Sequence, residues 1–309
     1  MNPLWSARTV FMGSPEFALP ILRVLASASQ VIGVITQPDK PAGRGRVLTP
    51  PPIKNLALAL GIPVIQPARL REPAAMDQLQ SWAPELIVVA AFGQILRPAV
   101  LDLPRFGCLN VHASLLPRWR GAAPIQAAIL AGDELTGVTI MRMDPGIDTG
   151  PILGKRELAI LPEDTAASLG ERLAELGAQL LIEVLPAYLH GKLTPQAQPE
   201  VGATYAPMLK KEAGKLDFSQ PAAVLARQVR ALNPWPGAFT IWNDQVLKIH
   251  RAHTEGSSHG LSLNQHLVHH KMPAIATADG LLILDEVQPA GKKSMPGSIF
   301  LQGARSWGT

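Results

Sequence analysis

The sequence has little cysteine and no long apolar run, and each shortage excludes a class of protein. Cys108 is the only cysteine among 309 residues, so no disulfide can form within the chain. No stretch reaches the ~18–20 consecutive apolar residues of a membrane-spanning helix, and the first residues lack the basic and apolar parts of a signal peptide. We therefore expect a cytoplasmic protein with no membrane association and no obligate protein partner.

Two nucleotide-binding fingerprints are also missing. The turn Gly13–Phe17 lacks the third glycine of a dinucleotide-binding loop, and no P-loop lysine follows it. This argues against a Rossmann-type dehydrogenase and against an ATP-binding loop. The composition, with 47% hydrophobic and 17% charged residues, is that of an ordinary globular protein. A length of 309 residues predicts one large or two ordinary domains.

The positive charge lies in the last third of the chain. Residues 1–209 contain 17 basic and 17 acidic residues, whereas residues 210–309 contain 11 and 7, which accounts for the net charge of +4. Such an excess is expected of a segment that contacts phosphates. A solvated protein face is the alternative explanation.

Short β-rich runs alternate with helical patterns in the first 160 residues. This rhythm predicts a Rossmann-like α/β fold, with a mostly parallel sheet and helices on both faces. Ligands of such sheets bind beyond the carboxyl ends of the strands. The predicted strands are Thr9–Gly13, Val31–Gln37, Pro63–Gln66, Leu86–Phe92 and Leu109–His112, and the predicted helices are Phe17–Ala28, Ile53–Leu60, Pro73–Trp82 and Thr165–Tyr188.

Three polar residues between positions 110 and 148 have complementary chemistry. Asn110 and His112 are two apart in a β-like run, so their side chains point to the same face of the strand. Asp148 follows, flanked by Gly146 and Gly150. An amide can donate to a developing oxyanion, an imidazole can move a proton, and a carboxylate can hold that imidazole or relay the proton. Because no serine or cysteine is placed as a nucleophile, we expect the nucleophile to arrive with the substrate.

The stretch that contains these residues resembles a known family. Asn110–Pro117 and Gly146–Gly150 are similar to the signature of the formyltransferases that use 10-formyltetrahydrofolate. The similarity covers nearly the whole chain and is weakest at residues 254–272. Further matching motifs are Phe11–Ala18, Gln37–Arg46, Pro117–Pro124, Asn233–Ala238 and Gln288–Met295.

The resemblance implies an activity and a domain organisation. It implies transfer of the formyl group of 10-formyltetrahydrofolate to the α-amino group of the methionine carried by initiator tRNA. Asn110, His112 and Asp148 would be catalytic, and the turn Ser114, Leu115, Leu116 and Pro117 would contact the folate. Residues 1–192 would form the catalytic domain, residues 193–206 a linker, and residues 207–309 a small oligonucleotide-binding-like (OB-like) β-barrel that binds tRNA.

Basic residues in two places are candidates for tRNA contacts. The segment Lys40–Arg46 carries cations between proline and glycine residues, so we expect a mobile basic loop that orders on the acceptor end. Its alternative interpretation is a solvated turn. The candidate tRNA-binding residues are Lys40, Arg44, Arg46, Lys210, Lys211, Lys248, Lys292 and Lys293.

The histidines of the last third suggest a metal site only superficially. His266, His269 and His270 lie close together, but no cysteine is near and no second ligand pair has a suitable spacing. We therefore expect no metal. Two further alternatives are formylation of a small amine, such as a glycinamide ribonucleotide or an amino-sugar nucleotide, and a non-catalytic RNA-binding protein. The basic segments argue against the first, and the complete set of Asn110, His112 and Asp148 argues against the second.

Overall fold

A computed structural model describes residues 5–42, 45 and 47–308 of the chain. The chain divides into two compact units. The first comprises the residues up to Pro124 together with Leu135–Ala159 and Gly170–Ala206. The second comprises Ile125–Glu134, Ile160–Leu169 and the residues from Pro207 onward. The predicted linker, 193–206, therefore belongs to the first unit, and two segments from the middle of the sequence belong to the second. No helix in the described ranges is long and apolar enough to cross a membrane.

Strands and helices alternate along the first two hundred residues. The helices are α1 (Ala18–Ala28), α2 (Pro52–Ala59), α3 (Pro73–Trp82), α4 (Pro98–Leu101), α5 (Pro124–Ala131) and α6 (Ala166–Leu189). The strands are β1 (Arg8–Gly13), β2 (Gln30–Ile35), β3 (Lys40–Ala42), β4 (Val47–Thr49), β5 (Val64–Ile65), β6 (Leu86–Ala90), β7 (Cys108–His112), β8 (Arg120–Gly121), β9 (Leu135–Arg142), β10 (Ile152–Ala159) and, just beyond residue 200, β11 (Tyr205–Ala206).

Seven of these strands form one sheet in the order β10-β9-β7-β6-β1-β2-β5. The strands from β7 to β5 in this order pair in parallel, as predicted. β6 is buried along its whole length and β1 along all but its first residue, because parallel strands are covered on both faces. The predicted mostly parallel sheet is therefore confirmed, and the carboxyl ends of β1, β6 and β7 lie at one edge of it.

The antiparallel pair β9–β10 is absent from the sequence prediction, although it completes the sheet next to β7. β9 has a glycine in its interior, which usually weakens a strand pattern. In the structure, a Cβ at Gly137 would collide with the carbonyl oxygen of Arg156 on β10. The glycine therefore permits a close approach of two strands, and the loop between them carries Asp148.

The basic segment after residue 39 differs from its prediction. β3 and β4 pair antiparallel as a two-stranded hairpin, so Lys40 lies in a strand rather than in an irregular loop. A proline is tolerated in such a ribbon because both strands are edges, and Pro41 pairs opposite Leu48. Arg44 and Arg46 lie outside the described residues, and the predicted mobility of this segment stays a prediction.

The second unit contains an antiparallel sheet, which confirms the predicted change of fold in the last third. The sheet order is β12-β13-β16-β15-β14, with β17 paired to β16. Its strands are β12 (Ala238–Trp242), β13 (Gln245–Glu255), β14 (His266–His269), β15 (Met272–Ala276), β16 (Leu281–Pro289) and β17 (Met295–Pro296), and its helices are α7 (Ala222–Ala231), α8 (Gly297–Gly303) and a 3₁₀ helix over Lys211–Gly214.

The core of the second unit lies between this sheet and its helices. Leu225 and Val229 of α7 are fully buried in it. Trp242, Phe300 and Trp307 pack against one another with ring centroids 5.1–5.8 Å apart. Aromatic groups in such edge-on and tilted arrangements stabilise a core beyond their buried area.

Candidate active site

Asn110 and His112 project from β7 toward the loop that follows β9. β7 lies between β6 and β9, so its backbone is held on both sides. The strand alternation places the two side chains on one face, as predicted. His112 is buried and Asn110 is half-buried. An amide and an imidazole are therefore presented together by a rigid element.

Asp148 meets both of them from the loop between β9 and β10. Its Oδ1 accepts a hydrogen bond from Asn110 Nδ2 at 3.2 Å, and its Oδ2 lies 3.6 Å from His112 Nδ1. Oδ2 also accepts a hydrogen bond from the backbone N–H of Gly121 at 2.8 Å. Three groups thus orient the carboxylate, and the structure brings together all three predicted catalytic residues.

The hydrogen bond on the far side of His112 determines its protonation pattern. Nε2 lies 2.9 Å from the carbonyl oxygen of Trp119. Because a carbonyl oxygen can only accept, Nε2 carries a proton in both charge states of the ring. The other ring nitrogen, Nδ1, faces Asp148.

Gln198 supports the loop from behind and was not predicted as a site residue. Its Nε2 donates to the carbonyl oxygens of Asp148 and Gly150, at 2.9 and 2.8 Å. Its Oε1 accepts a hydrogen bond from Nε of Arg120, whose side chain is only 1% exposed. Arg120 also contacts Glu200 at 3.4 Å. Nothing in the sequence links residue 198 to residue 148, because the contact exists only after the chain has folded.

Glycines allow the loop to approach its neighbours closely. A Cβ at Gly150 would collide with the carbonyl oxygen of Arg142. Gly121 has a φ of +116°, and a Cβ there would lie 2.6 Å from the carbonyl oxygen of Ala206. Asp148 itself has a φ of +52°, an uncommon backbone conformation for a residue with a side chain. The position of the carboxylate thus depends on backbone contacts that larger residues would break.

The predicted folate-contacting turn is a well-supported structure. Ser114 Oγ donates to the carbonyl oxygen of Arg118 at 2.6 Å. Thr139 Oγ1 donates to the carbonyl oxygen of Ser114 and accepts from the N–H of Leu116, at 2.7 and 3.1 Å. Leu115 and Pro117 remain half-buried. Several polar groups of the turn are engaged within the protein, and its contact with folate stays a prediction.

Two cavities border loops of the first unit. The first, of about 410 Å³, opens beyond β1 and β2, and the second, of about 350 Å³, borders the loop that carries Asp148. The first is lined by residues that include Ser14, Glu16, Gln37, Lys40 and Ala91, and the second by residues that include Leu101, Asp102, Arg142, Met143 and Asp144.

Cys108, at the start of β7, is buried in the hydrophobic core. Burial raises the pKa of its thiol to about 12, so the thiol stays protonated near neutral pH. Its Sγ lies 3.6 Å from the carbonyl oxygen of Val100. This agrees with the expectation that the nucleophile comes from the substrate.

The predicted tRNA-binding lysines of the second unit are exposed. Lys210 and Lys211 lie at the start of the 3₁₀ helix. Lys248 pairs opposite Gln288 in the sheet, and the side chain of Gln288 donates to the carbonyl oxygen of Lys292 at 2.8 Å. The structure therefore places Lys248 close to the turn that carries Lys292, which Lys293 directly follows in the sequence. Lys40 belongs to the first unit, where its Nζ donates to Gln37 Oε1 at 2.6 Å.

Comparison with known proteins identifies the family of this chain. Residues 7–185 match the sequence profile described as formyl transferase, and residues 208–305 match that of its C-terminal domain. The chain belongs to the formyl transferase family. The predicted family resemblance is thereby confirmed, and the candidate catalytic residues of this formyl transferase, Asn110, His112 and Asp148, lie inside the first matched segment.

Curated relatives of this formyl transferase match it almost end to end. The methionyl-tRNA formyltransferase of Myxococcus xanthus is 49% identical over 96% of this chain and 95% of its own length. That of Methylococcus capsulatus is 50% identical over 95% of this chain and 96% of its own length. Among solved structures, WlaRD, a sugar 3N-formyl transferase crystallised in the presence of dTDP and 5-N-formyl-THF, shares the fold. It is 19% identical with a TM-score of 0.66, over 93% of this chain and 99% of that chain.

Proposed function

We propose that this protein transfers the formyl group of 10-formyltetrahydrofolate to the α-amino group of the methionine carried by initiator tRNA. The product is N-formylmethionyl-tRNA. The observation that carries the proposal is the convergence of Asn110, His112 and Asp148 in a chain about half identical, along nearly its whole length, to relatives named methionyl-tRNA formyltransferase.

The reaction needs one bond made, one bond broken and one proton moved. The neutral amine attacks the formyl carbon, and the carbonyl oxygen gains negative charge in a tetrahedral intermediate. The bond between the formyl carbon and N10 then breaks. The amine loses one proton and N10 gains one, so the products are the formamide and tetrahydrofolate. No oxidant or metal is required by this balance.

The three site residues match these needs. The amide of Asn110 has two N–H groups, and one of them is enough for its bond to Asp148. The other can donate to the developing oxyanion, an interaction whose loss typically lowers a rate about 100–1000-fold. Asp148 and Nδ1 of His112 can hold the proton that leaves the amine before N10 receives it. We expect Asn110→Ala and His112→Ala to reduce turnover strongly while the protein stays folded.

For the donor, we propose that the folate binds at the edge where the strands carrying these residues end. Leu115 and Pro117 offer apolar surface beside the catalytic strand, and Ser114 and Leu116 hold the turn in shape through Thr139. A flat heterocycle gains most of its binding energy from such apolar walls, while a few polar groups fix its orientation.

For the acceptor, we propose that exposed cations bind the tRNA phosphates. Lys210, Lys211, Lys248, Lys292 and Lys293 all face solvent in the second unit. Each phosphate neutralised by such a cation releases counterions, so binding should weaken steeply with salt. We also retain Lys40, Arg44 and Arg46 as candidate contacts with the acceptor end. The hairpin that contains Lys40 exposes Val47 and Leu48 at 68% and 64%, which can pack against bases.

The experiment that tests this function compares acceptors. The purified protein is given 10-formyltetrahydrofolate together with charged initiator tRNA, free methionine, a glycinamide ribonucleotide or an amino-sugar nucleotide. We expect a kcat/KM for the charged tRNA that exceeds the others by orders of magnitude. A small amine formylated as efficiently as the tRNA would overturn the proposed acceptor while leaving the formyl-transfer chemistry intact.

A further inference from the structure

We propose that Glu255, His269 and His270 form a binding site for a divalent transition-metal ion of the zinc type. One ligand atom of each residue lies within 4.8 Å of those of the other two. The site belongs to the second unit and shares no residue with the catalytic cluster. It departs from our sequence-based expectation of no metal, which rested on the lack of a nearby cysteine and of a second ligand pair with a suitable spacing.

The sheet assembles the site from two segments that are distant in sequence. Glu255 is the last residue of β13, and His269 is the last residue of β14. His270 and Lys271 form the two-residue turn between β14 and β15, with φ values of +47° and +63°. These values are those of a tight hairpin turn of type I′. The carboxylate and the two imidazoles therefore meet where β13 and β14 end.

One ring nitrogen of His269, Nε2, is buried and lacks a hydrogen-bond partner among the described residues, which favours a bound ligand. The nearest carboxylate oxygen, Glu255 Oε2, lies 3.7 Å away, which is too far for a hydrogen bond. A buried polar atom without a partner is uncommon in folded proteins and is often explained by an ion. A metal ion would accept the lone pair of this nitrogen.

The distances suit a small coordination sphere. His270 Nε2 lies 4.0 Å from Glu255 Oε1 on the other side of the same carboxylate. Ligand atoms about 2.0–2.2 Å from a tetrahedral ion are separated by roughly 3.3–3.6 Å. Because the ligand atoms lie within 4.8 Å of one another, side-chain movements of about 1 Å would close the cluster around an ion. Because Glu255 and His270 are 46% and 75% exposed, water can occupy the fourth position.

The donor set determines the kind of ion. Two imidazole nitrogens and one carboxylate oxygen are typical ligands of Zn²⁺, and they also suit Co²⁺ and Ni²⁺. Mg²⁺ and Ca²⁺ prefer sets made of oxygen atoms alone. A bound metal ion would connect Glu255 with β14, on either side of the segment 256–265. Because the segment would then be closed into a loop, its motion would be restricted.

The test is a metal titration of the full-length protein with a matched histidine control. Chelator-treated protein is titrated with Zn²⁺ by calorimetry, with Co²⁺ by visible absorption, and with Mg²⁺. The variants are His269→Ala and Glu255→Gln, and the control is His259→Ala. His259 is an exposed histidine in the same segment. Its backbone N–H donates a hydrogen bond to Ser257 Oγ at 3.1 Å.

We expect one Zn²⁺ per chain, about tenfold or more weaker binding in both ligand variants, and unchanged binding in the control. Amide hydrogen exchange in residues 256–265 should slow on Zn²⁺ addition in the unmodified protein and in the control only. The proposal is wrong if Zn²⁺ does not bind stoichiometrically, if Mg²⁺ binds equally well, or if Glu255→Gln binds Zn²⁺ as the unmodified protein does. Glu255 is exposed, so this last variant remains informative even if His269→Ala fails to fold.

Discussion

Replacing Asp148 with asparagine keeps the shape of the side chain and removes its charge. The carboxylate accepts hydrogen bonds from Asn110 Nδ2 and from the N–H of Gly121 on opposite oxygens, and one of these oxygens faces His112 Nδ1. An asparagine amide has only one oxygen, so one of the two donors must face an NH₂ group. A hydrogen bond to a charged group contributes about 1.5–3 kcal/mol, which corresponds to roughly 10–150-fold. The negative charge that faces His112 Nδ1 at 3.6 Å is lost as well.

We therefore expect Asp148→Asn to lower kcat by about 100–1000-fold, with the KM for folate changed by less than about threefold. The assay is steady-state formyl transfer to charged initiator tRNA, with circular dichroism as a test of folding. Glu200→Gln is the matched control, because it removes a carboxylate that is 82% exposed and contacts Arg120 behind the site. We expect that variant to retain activity within about threefold. A folded Asp148→Asn protein with near-normal kcat would refute the role assigned to this carboxylate.

Three other predictions follow from the same structure. Gln198→Ala removes two hydrogen bonds of about 1 kcal/mol each from the Asp148 loop and should lower kcat roughly 10–30-fold. An unchanged kcat in steady-state kinetics would mean that the loop holds its shape without Gln198. Because burial raises the pKa of the Cys108 thiol to about 12, the thiol should react with iodoacetamide at pH 8 more than about 100-fold slower in the folded than in the unfolded protein. Mass spectrometry would follow the reaction, and equal rates would place the thiol in solvent. The double change Lys248→Glu and Lys292→Glu should raise the KM for tRNA and reduce the salt dependence of tRNA binding without altering the KM for folate. Parallel changes in the two KM values would argue against a tRNA-binding surface at these lysines.

Local patterns were sufficient to predict strand β7. Asn110 and His112 share a face because strand alternation is a property of neighbouring residues, and no distant contact is needed to establish it. The role of Asp148 came from its resemblance to a family motif. Its actual position depends on the tight packing of Gly121 and Gly150, which a sequence cannot reveal.

Features that depend on distant contacts were missed. Gln198 reaches the Asp148 loop only because the chain returns to it after α6, and its polar neighbours in sequence suggested a linker. The hairpin that contains Lys40 was mistaken for an irregular loop, since proline and glycine usually mark turns. Glu255 meets His269 although β16 and β15 lie between their strands in the sheet order, so the contact follows from tertiary packing rather than from residue spacing.

The central claim is that this protein moves a formyl group from folate to the amino group of methionine on initiator tRNA. The most direct measurement supplies 10-formyltetrahydrofolate labelled in the formyl carbon, together with charged initiator tRNA, and then identifies the labelled product after the ester bond of the tRNA is cleaved. The account predicts label in N-formylmethionine, and loss of that signal in Asn110→Ala. Label found only in formate, or no label transferred at all, would contradict it.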